Sequence, residues 1–204
     1  MKHTLTGAAA LLLSAAPVFA GAIERAPQSL SILFEDGNYV EFGAGRASPD
    51  VSGRDLAIYG GSRTGNVADD YSFFSLGYKH QFNDQLSGAL IVEQPFGADV
   101  HYAPVTEGGS LMLGGTSAVV NSTTYTGLLR YKFNENWGVH GGLRGSRADA
   151  NVTLSGQAYG ALSGYNVDLD SHWGWGYVLG ASWERPDIKA RVSLTYNSPI
   201  EHEF

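Results

Sequence analysis

The chain has 204 residues, no cysteine and a formal net charge of −7. The lack of cysteine excludes disulfides and thiolate metal sites, and the acidic balance without a Lys/Arg run excludes a nucleic-acid surface. Charged residues make up only 16% of the chain, whereas aromatic residues reach 12% and glycine occupies 27 positions, which favours strands over helices. The length allows one domain or one large piece of a domain.

The first twenty residues are typical of a cleavable secretory signal. Lys2 precedes an apolar core over Leu5–Val18, and small residues follow, so cleavage is expected between Ala20 and Gly21. A transmembrane helix is excluded because the apolar run is shorter than the roughly 20 residues that a span needs, and Pro17 interrupts it. We therefore predict a signal peptide over residues 1–20.

After the signal, the apolar residues recur with a period of two, which predicts strands. Seven segments of strand length follow: Asn38–Ser48, Tyr71–Gln81, Leu86–Phe96, Thr123–Phe133, Trp137–Arg147, Ser171–Trp183 and Ile188–Ser198. Their connections alternate between short ones at 82–85, 134–136 and 184–187 and long ones near 49–70, 97–122 and 148–170. This alternation predicts an all-β, transmembrane antiparallel β-barrel with short periplasmic turns and long outer loops. A soluble sandwich has no reason to sort its loops by length.

The sixth segment separates into an aromatic row and a nearly bare row. The first row is Trp173, Trp175, Tyr177, Leu179, Ala181 and Trp183, and the second is Gly174, Gly176, Val178, Gly180 and Ser182. The ten residues between the outermost tryptophans extend roughly 34 Å along a strand, or about 25 Å of depth when the strand is tilted. We therefore predict that Trp173, Trp175, Tyr177 and Trp183 form a lipid-facing girdle and that the bare row faces the lumen. In the last segment, Lys189 and Arg191 are predicted to face the lumen near the periplasmic end.

Residues 171–204 also carry a longer motif: Gly-aromatic-Gly-Tyr-x-x-Gly, a turn with Pro186, and Arg-x-x-Leu-x-Tyr-x-Ser-x-Ile-x-His. The residues are Gly174, Trp175, Gly176, Tyr177 and Gly180, then Arg191, Leu194, Tyr196, Ser198, Ile200 and His202. This motif resembles the central signature of the outer-membrane long-chain fatty-acid and hydrocarbon transporters (FadL/TodX type). The hairpin at 75–97, which ends in Pro95, Phe96 and Gly97, is similar to an earlier hairpin of that family.

The resemblance implies a 14-stranded barrel with an N-terminal plug inside it. The chain then divides into the signal over 1–20, a short plug-like segment over 21–36 and a barrel domain over 37–204. The Asn-Pro-Ala type motif of the family's plug is missing from 21–36, so the gating residues of that plug do not transfer. In the family a distorted third strand opens the wall sideways, which makes Pro95, Phe96 and Gly97 the candidate substrate path. The alternative is that Pro-Phe-Gly only ends the strand.

The number of strands raises a question of closure. Seven strands leave two unpaired edges, and lipid offers them no hydrogen bonds. The chain is therefore expected to hold the first half of a longer, 14-stranded barrel. The alternative is a complete barrel of eight strands in which Leu30–Phe34 supplies a further strand. The aromatic Phe204 favours that alternative, whereas Pro199 makes a poor closing strand.

For function, the resemblance implies passive uptake of long-chain fatty acids or similar hydrophobic molecules across the outer membrane of a Gram-negative cell. Its partners would be these molecules and outer-membrane lipid, with no cofactor and no nucleic acid. The small, partly apolar inward row suits an oily ligand better than the charged lumen of a porin. A small structural or adhesive barrel without transport and a general hydrophilic porin remain alternatives. We expect no enzyme, since the sequence has no catalytic constellation and no metal-binding histidine spacing.

Overall fold

The computed structural model describes Arg25 and residues 28–202, and the predicted signal peptide with its cleavage site at Ala20 and Gly21 lies outside the described residues. The strands are β1 (Tyr39–Ala47), β2 (Ser52–Arg54), β3 (Arg63–Asn66), β4 (Tyr71–Gln81), β5 (Leu86–Glu93), β6 (Gly97–His101), β7 (Ser117–Lys132), β8 (Trp137–Leu154), β9 (Tyr165–Arg185) and β10 (Ala190–Asn197). Short 3-10 helices cover Ser31–Phe34, Ala57–Tyr59, Val105–Glu107, Gln157–Leu162 and Pro186–Ile188. No described helix has the length and apolar character to cross a membrane.

The main sheet confirms the predicted all-β fold and its antiparallel order. Its strands lie in the order β1, β4, β5, β7, β8, β9, β10, so that neighbours along the chain are neighbours in the sheet. β6 pairs with β7 beyond the end of β5, and β2 pairs with β3 in a separate hairpin of the first long loop. All of these pairings are antiparallel. Leu30–Phe34 does not supply an eighth strand, because Ser31–Phe34 forms a 3-10 helix.

Most strand ends differ from the prediction on the side of the long loops. β4 has the predicted bounds, whereas β7, β8 and β9 extend to 16, 18 and 21 residues. The predicted third strand ends at Glu93 because Pro95 has no N–H to donate to the ladder. The last strand begins at Ala190, since Pro186–Ile188 form a turn that ends at Lys189 with a φ of 51°.

The outer face of the sheet carries the large apolar side chains. Trp175 is 68% exposed and Leu194 80%, although both lie on central positions of their strands. Trp173 stacks on Trp175 with ring centroids 5.8 Å apart near the long-loop end of the sheet. Trp183 lies opposite Trp137 near the short-turn end. Aromatic side chains therefore border an apolar band at both ends, which is the pattern of a lipid-facing barrel wall.

This assignment of faces predicts a pattern of lipid contact. We expect spin labels at Trp175 and Val192 to be relaxed strongly by a lipid-soluble reagent such as oxygen, because both side chains project from the outer face. A label at Ser193 should be relaxed by a water-soluble nickel chelate instead, since Ser193 pairs with the buried Ser182 on the inner face. Neighbouring positions 192 and 193 thus serve as matched controls, and an inverted pattern would show that the faces are reversed.

The inner face holds the N-terminal segment. Ile32 and Leu33 have no exposed surface. They form an apolar cluster with Ala89, Ile91, Leu128 and Val178 from three neighbouring parts of the wall. The side chain of Ile32 packs where Gly77 has no Cβ, since an added Cβ there would lie 2.6 Å from Cδ1 of Ile32. The short N-terminal helix is therefore packed into the concave side of the sheet, at the short-turn end.

The long loops are linked to one another at the opposite end. The carboxylate of Asp55 accepts hydrogen bonds from the hydroxyl of Ser110 at 2.6 Å and from the backbone N–H of Leu111 at 2.9 Å. At the edge of the same region, the Arg46 guanidinium and a hydrogen bond from Ser48 hold the pKa of Asp70 below its ordinary value. The loops thus form a connected cap above the strands.

Candidate functional site

The wall of the sheet is interrupted where the sequence Gln-Pro-Phe separates β5 from β6. On the β7 side, Glu93 pairs with Thr124 and Gly97 pairs with Asn121, so three residues (94–96) face two (122–123). The hydroxyl of Ser122 satisfies the displaced backbone, because it accepts a hydrogen bond from the N–H of residue 96 at 3.1 Å and donates one to the carbonyl of the same residue at 2.7 Å. The interruption is therefore a bulge with its own polar support.

On the other side of the bulge, the ladder between neighbouring strands is missing over five residues. β4 and β5 pair as far as Ser75 and Glu93, and pairing resumes with a bridge between Ala68 and Val100. The register is unchanged, since both strands advance by seven residues (75 to 68, 93 to 100). Residues 70–74 and 94–98 are all described, and no backbone hydrogen bond joins them. We call this opening the wall window.

The side chain of Gln94 and residue Arg25 of the N-terminal segment fill the wall window in place of a ladder. The Oε1 atom of Gln94 accepts a hydrogen bond from the N–H of Phe74 at 3.3 Å. Arg25 donates its backbone N–H to the carbonyl of Pro95 at 2.7 Å, and its guanidinium lies 4.6 Å from the ring centroid of Tyr71. The window is thus closed by one side chain of β4's neighbour, Gln94, and by Arg25 of the N-terminal segment.

A cavity lies on the inner side beside the window, with a volume of about 580 Å³. Its polar lining consists of Gln28, Ser122, Arg144, Ser146, Asn197, Ser198 and His202. Its apolar lining consists of Phe96, Val120, Ala148, Ala150 and Ile200. An elongated molecule with one polar end and an apolar body matches this division.

Arg144 is the cation of the cavity, and it is only 4% exposed. Its Nε donates to the hydroxyl of Thr126 at 3.0 Å, and its Nη1 donates to Oδ1 of Asn197 at 3.2 Å and also to the side-chain oxygen of Gln28. Within the described residues its Nη2 is buried and has no hydrogen-bond partner. A buried guanidinium with an unused N–H favours an anionic or strongly accepting group beside it.

Glu93 adds a second buried charge near the bulge. It is 4% exposed, and its Oε1 has no hydrogen-bond partner among the described residues. No ion pair within 4.0 Å joins it to Arg144, although both residues are described. Both side chains therefore retain unused hydrogen-bonding capacity on the inner face of the wall.

The N-terminal segment is held by cations at the floor of the lumen. The ring of Phe34 contacts the guanidinium groups of both Arg130 and Arg191, whose Cζ atoms are 4.7 Å and 4.1 Å from its centroid. The edge of His140 meets the same ring at a centroid distance of 5.8 Å. Arg130 also pairs with Glu184 on β9. These contacts fix the segment at its lower end, while Arg25 and Gln28 reach up to the window and the cavity.

The structure gives the sequence-predicted residues distinct surroundings. Phe96 lines the cavity, and Pro95 and Gly97 contact Arg25 at the window. Arg191 lies on the inner face against Phe34, whereas Lys189 lies in the exposed turn before β10. The side chains of Trp173, Trp175, Tyr177 and Trp183 lie on the outer face, opposite the buried Val178 and Ser182.

The bare row of β9 has a use that the sequence did not reveal. A Cβ at Gly174 would lie 2.5 Å from Ile200, and one at Gly176 would lie 2.7 Å from the hydroxyl of Ser198. These glycines therefore allow residues 198–201 to cross the inner face closely. Residues 198–201 thus cover the inner face of β9 at Gly174 and Gly176, and the cavity lies beside this crossing.

Sequence reasoning missed Arg144, Gln28, Glu93 and Arg25. One signal for Arg144 was present, because it shares an alternating row of β8 with Gly138, His140, Gly142 and Ser146 and is the one cation in that row. The roles of Arg25 and Gln28 depend on contacts with strands far along the chain, which no local pattern encodes.

The outer face of the antiparallel sheet is apolar and bordered by aromatic side chains, whereas the inner face is polar and covered in part by the N-terminal segment. These features define the wall of a β-barrel in a membrane. The family of outer membrane transport proteins described as OMPP1/FadL/TodX matches residues 13–204, and the chain belongs to this family. It is thus an outer-membrane protein of a transport family, not of an enzyme family.

Among solved structures, the crystal structure of a FadL homologue from Pseudomonas aeruginosa is similar in fold. The TM-score is 0.55 at 15% sequence identity, over 80% of this chain and 42% of that chain. The chain therefore spans less than half the length of this relative. A comparison of the sequence with curated proteins found no match.

Proposed function

We propose that the protein takes part in passive uptake of long-chain fatty acids or similar hydrophobic molecules across the outer membrane. The observation that carries this proposal is the amphipathic cavity, in which the buried Arg144 has an unused N–H and Phe96 adjoins the wall window. A carboxylate would pair with the guanidinium, while the hydrocarbon chain would lie along the apolar lining. The N-terminal segment acts as the plug.

The route that we propose is lateral. A hydrophobic molecule gains nothing by entering the aqueous periplasm, and Ile32 and Leu33 fill the lumen on the way there. The wall window instead connects the cavity with the apolar outer face, so the ligand can leave into the membrane. Pro95 prevents a continuous ladder at the window because it has no backbone N–H to donate.

A hydrophilic porin is less compatible with this geometry. A porin needs a continuous water-filled channel, and in this sheet the apolar cluster around Ile32 lies across the inner face.

Uptake in cells tests the proposal. Gram-negative cells that lack their own uptake route, with the intact protein in the outer membrane, should accumulate a labelled long-chain fatty acid several times faster than cells without it. A labelled disaccharide, which is too hydrophilic for the cavity, serves as the control solute. Accumulation of the disaccharide without that of the fatty acid would contradict the proposal and indicate a porin.

A further inference from the structure

Arg25 occupies the wall window from side to side. Its N–H is bonded to the carbonyl of Pro95 on one edge, and its guanidinium lies over the ring of Tyr71 on the other. An ideal Cβ at Gly97 would lie only 2.3 Å from Cζ of Arg25, so the guanidinium fits there because Gly97 has no side chain. The arginine is therefore packed into the opening and is not merely near it.

In this position the guanidinium of Arg25 makes few hydrogen bonds. Its Nε is buried and has no hydrogen-bond partner among the described residues. None of the ion pairs in the described part of the chain includes Arg25. The guanidinium contacts the ring of Tyr71, whereas the carbonyl of Pro95 is bonded by the backbone N–H of Arg25. Charge-assisted hydrogen bonds to a carboxylate are about twice as strong as neutral ones, so an incoming anion competes well for this group. Contact with an aromatic face alone is weaker.

We propose that Arg25 is a latch that closes the wall window and that the anionic head group of the ligand releases it. This inference rests on the proposed function, because it assigns the regulation of the same lateral route. Phe96 stands between Pro95 and Gly97, which both contact Arg25, and it lines the cavity, so the cavity extends to the residue next to the latch. When the carboxylate passes from Arg144 in the cavity to the guanidinium of Arg25, Arg25 leaves the ring of Tyr71 and the space beside Gly97 becomes free for the hydrocarbon chain.

The latch selects ligands by charge. A long-chain alcohol has the same hydrocarbon body as the acid but no anion to attract the guanidinium, and it therefore meets a closed window. We expect the intact protein in cells to take up the acid about tenfold faster than the alcohol of equal chain length, which corresponds to one strong charge-assisted hydrogen bond.

Substitution of Arg25 tests the latch. In Arg25→Ala the alcohol should enter about as fast as the acid, because the guanidinium no longer fills the space beside Gly97. Gly97→Ala provides an independent variant, since its methyl group displaces the guanidinium while Arg25 remains in the chain. It should raise alcohol uptake in the same way. Arg46→Ala is the matched control, because Arg46 is an exposed arginine of the neighbouring strand that pairs with Asp70 and does not enter the window.

The outcomes separate the latch from the proposed function. If neither acid nor alcohol enters cells with the unmodified protein, the proposed function is wrong and the latch is wrong with it. If the acid enters but Arg25→Ala leaves alcohol uptake unchanged, or lowers both ligands equally at matched outer-membrane levels, the latch is overturned while the uptake route stands. A selective gain for the alcohol in both Arg25→Ala and Gly97→Ala supports it.

Discussion

Arg144→Met should weaken the binding of a long-chain fatty acid about 10- to 100-fold and leave the binding of the corresponding alcohol nearly unchanged. A hydrogen bond to a charged group contributes about 1.5–3 kcal/mol, and the carboxylate would lose its cationic partner. Methionine retains most of the volume of the side chain. Dissociation constants for both ligands, measured on the purified intact protein in detergent, would provide the comparison.

Arg147→Met is the matched control for this experiment. Arg147 lies three residues further along β8, but it is exposed on the outer face, where it donates a hydrogen bond to Ser171 at 2.7 Å. It should leave both dissociation constants unchanged. An equal loss for acid and alcohol in Arg144→Met would show that Arg144 supports the cavity structurally through Thr126 and Asn197 and does not recognise the head group.

The wall itself could be predicted from the sequence because its signal is local. β4 has its predicted bounds, since a strand with alternating inner and outer side chains over Tyr71–Gln81 is followed at once by a turn in which Asn83 accepts hydrogen bonds from the N–H groups of Gln85 and Leu86. The outer parts of β7, β8 and β9 were missed because serine, asparagine and aspartate recur in them and because they adjoin the glycine-rich segments that were predicted as loops. Pairing with the neighbouring strand keeps those parts extended, and the sequence of one strand does not contain that information.

The bulge was predictable in part. Leu90, Ile91 and Val92 are apolar on both faces, so periodicity gave no strand end, and only Pro95 marked the interruption. The unchanged register on the two sides of the wall window, and its occupation by Arg25, depend on pairings between segments that are distant in sequence. The candidate site therefore required the structure, whereas the sheet did not.

Closing the wall window by a cross-link should stop fatty-acid uptake. The register places Ser72 opposite Phe96 in the middle of the window, because both lie three residues beyond the last pair of Ser75 and Glu93 (75 to 72, 93 to 96). The chain has no cysteine of its own, so Ser72→Cys on the outer face with Phe96→Cys on the cavity side gives a pair that a reducible bifunctional thiol reagent can join through the window. Uptake should fall to that of cells without the protein and return after reduction.

Both cysteine substitutions remain after the cross-link has been reduced. Recovery of uptake in the same cells therefore shows that the cross-link, and not the loss of the Phe96 side chain, stopped it. The matched control pair is Tyr78→Cys with Leu90→Cys, which joins the same two strands where their ladder is intact and where both side chains are exposed on the outer face. Joining that pair adds no constraint to the window, so uptake should continue. If the cross-link at 72 and 96 forms completely and uptake also continues, then the ligand does not leave through the wall. The molecule would then have to pass Ile32 and Leu33, which requires the N-terminal segment to leave the floor of the lumen.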